Sequence, residues 1–392
     1  MSKIYTIFGL FFILLASKVT GQFTITGPKN SIEISGLISF DYNYRFLSNP
    51  GNEPDYKKNK FELGNARFKI EGRTGLHYEY NLQLDLSRLG YTDVVGEFPA
   101  LLDASFIYKS KLVDIAGGYQ KVPYSRSSLV PFQYQPMWQR AEISRGYMFS
   151  RRDVGVTLSK EMWNDRIALY AGAYSGQGEY IMTSITEGDN DKNGTLEYIA
   201  RAEVNYPYKI KYRDVYDTHH SSIPSISLGV NGRYVNRTKS LPYGTTDFDV
   251  KLISGKKTTY GLDLATQYKG FSGLFEIHQM KIEPTDPTDI TNFLLSKQTT
   301  YFYAGGTVVQ LAYYSKKLKS GILARYDELI PNDLRSSTYK VQNISLCYNL
   351  LLNGYKSMLR VQYWYRINND IQSSIPQKFK DDQIRIGWQY SF

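Results

Sequence analysis

The sequence predicts an all-β chain: a transmembrane antiparallel β-barrel of about 16 strands, with a long third loop folded into the lumen. Three observations carry that prediction. The last ten residues alternate strictly, with Ile384, Ile386, Trp388, Tyr390 and Phe392 on one face and Gln383, Arg385, Gly387, Gln389 and Ser391 on the other. That is the period of a strand with one apolar and one polar face, and amphipathic aromatics on the apolar face suit a membrane–water interface. Tyr numbers 35, Phe 19 and Trp 4, a 15% aromatic share, while mean hydropathy is only −0.40. The apolar residues are therefore spread along alternating strands and not gathered into spanning helices. Finally, the connections between strand-like stretches alternate long and short, as in barrels with long outer loops and short periplasmic turns.

The chain opens on an expected signal peptide, 1–21. Lys3 precedes an apolar run over 4–16, and Val19, Thr20 and Gly21 lead to a cut at Gln22. The run is too short to serve comfortably as a retained anchor. The barrel domain is then 22–392. Removing 1–21 removes Lys3 and Lys18 and no acid, which takes the net charge from +10 to +8 (10 − 2). Cys347 is the one cysteine, so no intramolecular disulfide and no cysteine metal cage can form.

The first strand, 31–47, sets Ile32, Ile34, Ile38, Phe40, Tyr42, Tyr44 and Phe46 against Ser31, Glu33, Ser35, Ser39, Asp41, Asn43 and Arg45, with Leu37 the exception. Strand 61–73 sets Ala66, Phe68 and Ile70 against Arg67, Lys69, Glu71 and Arg73, and Thr74-Gly75 turns the chain. The pattern recurs at 77–87, 102–109, 113–121, 153–160, 166–175, 197–206, 225–236, 257–268, 271–280, 299–314, 319–328, 340–350, 357–367 and 383–392. Most stretches reach the ~9–11 residues that cross a bilayer at a tilt, longer than the ~5–6 usual in a soluble sandwich. One connection breaks the rhythm: 207–224 should be a short turn and is not.

Between the fifth and sixth strands, Gly118-Tyr119-Gln120-Lys121-Val122-Pro123-Tyr124 and then Arg151-Arg152-Asp153-Val154-Gly155-Val156 resemble the phosphate-selective porin O/P family. Ala324-Arg325-Tyr326-Asp327 and Gln342-Asn343-Ile344 resemble that family's final strands. The resemblance implies a sixteen-stranded, trimeric outer-membrane porin that passes small anions down their gradient, phosphate among them.

The residues themselves point to the third loop, 122–151. It is thirty residues long, a length that usually means function or disorder. Tyr124, Phe132, Tyr134, Trp138, Tyr147 and Phe149 could anchor it inside the barrel. Its charges are Arg126, Arg140, Arg145 and Arg151 against Glu142, with Lys121 just before and Arg152 just after. Guanidinium groups bind oxyanions through paired donors and stay charged. Set in a narrow constriction, these six bases would favour anions. The competing reading is that the arginines pair with wall carboxylates, from Glu33, Asp41, Glu71, Asp85, Asp103, Asp114 and Glu203, and pin the loop. The wall also carries Arg45, Arg67, Lys69, Arg201, Arg233, Arg325, Arg360 and Arg385. Lys57, Lys58 and Lys60 in the first loop can gather anions or face lipopolysaccharide.

Other signals are weaker. Asp189, Asp191, Asn193 and Gly194 match the opening of a calcium loop, but Ala200 stands where the closing Glu belongs, and an ordinary polar loop explains them. His219-His220-Ser221 has the spacing of a barrel-lipase dyad yet lies in the irregular 207–224 connection. No cofactor, metal or nucleic-acid partner is expected. The expected partners are small phosphate-like anions, the lipid bilayer and its lipopolysaccharide, the barrel assembly machinery at the C-terminal strand, and two further copies of the chain. The expected function is anion-preferring diffusion and not catalysis. A lipase-like barrel enzyme and a plugged barrel serving as adhesin or scaffold are the alternatives.

Overall fold

The computed structural model describes residues 23–27, 29–46, 59–88, 100–176, 178, 194–237, 250–285, 289–335, 340–367 and 381–392. The expected signal peptide, Lys57 and Lys58, and Asp189, Asp191 and Asn193 lie outside them. The strands are β1 (Phe23–Thr26), β2 (Asn30–Phe46), β3 (Asn59–Thr74), β4 (Tyr78–Asp85), β5 (Leu101–Tyr108), β6 (Asp114–Lys121), β7 (Arg152–Met162), β8 (Ile167–Tyr174), β9 (Glu197–Tyr206), β10 (Ser225–Arg237), β11 (Gly255–Tyr268), β12 (Phe271–Pro284), β13 (Phe302–Ser315), β14 (Ser320–Ile330), β15 (Val341–Tyr355), β16 (Ser357–Arg366) and β17 (Asp382–Ser391). From β2 to β17 each strand pairs antiparallel with the next, and β17 pairs back onto β2, Asp382 opposite Phe46 and Ser391 opposite Leu37. The result is a closed sixteen-stranded barrel in which, among the described residues, no spanning strand is left as an edge.

Alternation decides which way each side chain points. Along β10, Ser225, Ser227, Asn231, Arg233 and Arg237 are buried, while Ile226, Leu228, Val230 and Tyr234 are exposed. The apolar face is therefore the outer one, as lipid requires, and the polar face is turned inward. β17 repeats this, with Gln383, Arg385 and Gln389 buried and Ile386 exposed. Tight turns close the short end; Lys269 and Gly270 both take positive φ, 48° and 88°, as a two-residue hairpin turn between twisted strands demands.

Each of the sixteen expected strands is present, with ends shifted by a few residues. β4 stops at Asp85 and gives way to a 3-10 turn, Leu86–Arg88. Two features were not foreseen. A helix, Asp289–Ser296, sits in the loop after β12. And β1 pairs with β2, Phe23 opposite Ile34 and Thr26 opposite Ser31, along the stretch that β17 is too short to cover. At that seam Phe392 and Gly36 exchange backbone hydrogen bonds of 3.0 Å in both directions. A Cβ on Gly36 would lie 2.3 Å from the Phe392 ring, so the terminal aromatic occupies space that only glycine leaves open.

Candidate functional site

The segment 122–151 leaves β6 and returns to β7 through a closing hydrogen bond, the Val122 amide donating to the Arg151 carbonyl at 2.9 Å. A one-turn helix, Arg126–Leu129, is capped by Ser125, whose Oγ accepts from the Ser128 amide. Irregular backbone cannot be buried without partners, and polar-face side chains of the strands supply them. The Ser125 amide donates to Asn231 Oδ1 (3.2 Å), the Ser127 amide to Glu276 Oε1 (2.6 Å), the Trp138 amide to Gln362 Oε1 (2.9 Å) and the Glu142 amide to Asp327 Oδ1 (2.9 Å). Gln389 Nε2 donates to the Gln133 carbonyl at 2.9 Å. The segment thus meets side chains from β10, β12, β14, β16 and β17. Apolar contacts add to these: Tyr124 and Phe149 join Met280, Ile282 and Phe302, and Ile143 joins Val308, Leu329 and Val341.

Opposite those strands the lumen stays open. A cavity of about 510 Å³ is bounded by β2–β6, the start of β7, residues 131–134 and Arg140. Its bases are Arg67, Lys69, Lys121, Arg140, Arg151, Arg152 and Arg213, and its acids Glu71 and Asp103, a balance of +5 (7 − 2). Four of the six bases singled out in the sequence, Lys121, Arg140, Arg151 and Arg152, come together here. Arg152 is held by Asp103 at 3.0 and 3.2 Å. Arg140 donates to the Ser127 and Val130 carbonyls at 2.5 and 2.6 Å, and Lys121 to the Leu129 carbonyl at 3.1 Å. Arg140 and Lys121 therefore brace the segment while facing the cavity, and Arg152 ties β7 to β5. Arg67 is 3.1 Å from Asp85 and lies over the Phe132 ring at 4.5 Å.

The other two lie elsewhere. Arg126 is buried, donates to Ser227 Oγ at 3.0 Å, and stands 4.0 Å from Glu203. Arg145 binds Glu142 at 3.1 Å, and Glu142 also accepts from Arg366 at 3.1 Å. Burial alone would raise the Glu142 carboxyl, but Arg145 and Arg366 outweigh it and hold its pKa below the ordinary 4.5.

Residues 33–210 match the family model described as phosphate-selective porin O and P. Over this span the chain is similar to that porin family. Solved structures share its fold. OprB of Pseudomonas putida at high pH is 12% identical, covers 93% of this chain and 94% of its own, and superposes with a TM-score of 0.58. The trimer form of in-vitro folded OmpT, an outer membrane protein of Vibrio cholerae, is 10% identical with coverages of 93% and 100% and a TM-score of 0.57. An anion-selective porin from Comamonas acidovorans is 10% identical with the same coverages and a TM-score of 0.56. No curated protein matches the chain significantly in sequence. The molecule is a barrel of the outer-membrane porin type, and the family match and the fold point to a channel rather than to an enzyme.

In the irregular 207–224 connection, two of the three residues of the His219-His220-Ser221 run have partners of their own. His220 Nε2 lies 2.8 Å from the Tyr314 carbonyl, while Ser221 Oγ donates to Asp217 at 2.9 Å. The connection packs inward. Tyr216 is buried with Met137, Ala312, Leu323, Cys347 and Met358, and Asn349 donates to its hydroxyl at 2.7 Å. Asp217 accepts from the Gly270 amide at 2.8 Å. Sequence reasoning gave Arg67 and Lys69 to the wall but passed over Arg213. The signal was the anomalous length of 207–224 together with Ile210, Tyr212 and Tyr216. Lys60 of the first loop's lysines is described, and it pairs with Glu62 at 2.6 Å.

Proposed function

We propose that the porin lets small hydrophilic anions, phosphate among them, diffuse across the outer membrane, with 122–151 folded into the lumen as the constriction. The observation that carries this reading is the seven-to-two excess of bases over acids around the open cavity. Positive charge on low-dielectric walls concentrates anions and excludes cations. The inward placement is supported by the segment's hydrogen bonds to polar-face side chains of β10, β12, β14, β16 and β17. The similarity to the anion-selective porin from Comamonas acidovorans and to the trimer form of OmpT favours the anion preference and a homotrimer. Lys121, Arg140, Arg151 and Arg152 are the expected anion contacts, while Arg126 and Arg145 hold the segment. The leader over 1–21, the barrel assembly machinery at the C-terminal strand and lipopolysaccharide outside complete the reading.

The test is the reversal potential of single channels in a planar bilayer under a salt gradient. An anion-selective potential, with block by millimolar phosphate, is expected. A cation-selective or zero potential would overturn anion preference, and anion selectivity without phosphate block would remove phosphate alone. A barrel that inserts without conducting would replace the channel by the plugged reading.

A further inference from the structure

The connection 207–224 joins β9 to β10 at the short-turn end of the barrel, yet it does not stay there as a turn. It is fixed on both sides. On one, the Arg126 guanidinium donates to the Ile210 carbonyl at 2.5 Å and lies 5.2 Å over the Tyr212 ring. On the other, Tyr216 and Asp217 are buried and hydrogen-bonded to side chain and backbone of β12, β15 and the 269–270 turn. Between these anchors stands Arg213. Its side chain is 53% exposed, and its ion pair to Asp214 is a loose 3.9 Å. It borders the cationic cavity, and it is the one residue there that comes from neither β2–β7 nor 122–151.

We propose that 207–224 is a second selectivity element, built from the short-turn side, which presents Arg213 to passing oxyanions such as phosphate or carboxylate. The inference rests on the anion-channel reading above. Its chemistry is that of a hydrated guanidinium: two parallel N–H donors match two oxygens of one anion, and the charge cannot be titrated away. A rigid backbone on either side keeps the group at a fixed place on the path, so it acts on anions arriving from one end more than from the other. The 122–151 bases brace their own segment, and Arg213 does not, so it can change without disturbing the constriction.

The experiment compares wild-type, Arg213→Ala and Arg213→Lys channels in planar bilayers, with inorganic phosphate added to one side or the other. In Arg213→Ala the half-blocking phosphate concentration should rise about fivefold from one side of the bilayer and less than about twofold from the other. Arg213→Lys should fall between, since it keeps the charge and loses the paired donors. An unchanged block, an equal change from both sides, or wild-type channels that prefer anions but ignore phosphate would overturn this proposal and leave the anion-channel reading standing. A wild-type reversal potential without anion preference would remove both.

Discussion

The wall from β10 to β17 and the wall from β2 to β7 are written in the same alternating pattern, yet their polar faces meet different surroundings. On β10, Asn231 and Arg233 are 6% and 5% exposed because 122–151 covers them. On β3, Lys69 and Glu71 keep 29% and 39% of their side chains exposed, because they border open cavity. A buried charge must be matched by a fixed partner, and the covered wall supplies them in networks such as Arg201 with Asp263 and Glu203, or Arg366 with Glu142. A hydrated charge needs no such match and remains available to a passing ion. The lesson is that a count of arginines says little about selectivity until each is assigned to a covered or an open surface. On the covered side the charges are buried against fixed partners, while on the open side Lys69 and Glu71 stay partly hydrated.

The sharpest way to break that contrast is to remove a charge from the covered side. Glu142 is fully buried between Arg145 and Arg366. Glu142→Ala removes the buried acid shared by two guanidinium groups and should cost ~3–5 kcal/mol, read as a lower unfolding temperature and as noisier single-channel current when 122–151 loosens. Lys69→Gln, a half-exposed pair partner on the open side, should stay within ~1 kcal/mol. Equal losses in the two variants would dissolve the distinction.

The barrel itself was readable in the sequence because alternation is a local property: each strand declares its two faces without reference to its neighbours. Leu37 looked like an exception for the same reason, and it is buried on the inward face. The fates of the third-loop arginines were not readable, because their partners are distant in the chain. Arg126 ends on Ser227 and beside Glu203, Arg145 shares Glu142 with Arg366, and Arg152 finds Asp103. The 207–224 connection showed as an anomaly of length, but what it packs against, Cys347 and Met358 among others, lies more than a hundred residues on. β1 was missed because four residues carry too little periodicity to stand out.

A smaller effect should sharpen the electrostatic half of the contrast. Lys69→Gln combined with Arg151→Gln removes two of the cavity's seven bases and should lower the anion-to-cation permeability ratio about threefold, ~0.6 kcal/mol. Arg325→Gln removes the same kind of charge from the covered side, where Arg325 pairs with Asp327 at 3.1 Å, and should shift the ratio far less. Reversal potentials under one salt gradient measure both. If Arg325→Gln moved selectivity as much as the double variant, charge on the covered wall would be reaching the ions after all.

The least effect near neutral pH, and the one that joins the two halves, comes from acid. Glu142 has its pKa held below 4.5 in the folded porin. A carboxyl depressed by folding contributes stability that is fully present above its unfolded value and is lost as pH falls through the folded one. Between pH 7 and about 5 the contribution of Glu142 should stay in full. Further down, the proton that Glu142 takes up removes the counter-charge of Arg145 and Arg366 together, and the hold of 122–151 on β14–β16 weakens. Current noise recorded from pH 7 to pH 3 should therefore rise only at the acid end. Glu142→Gln, already without the charge, should be noisy at pH 7 and show no such step. A wild-type step that persists in Glu142→Gln would place the acid sensitivity in another carboxylate.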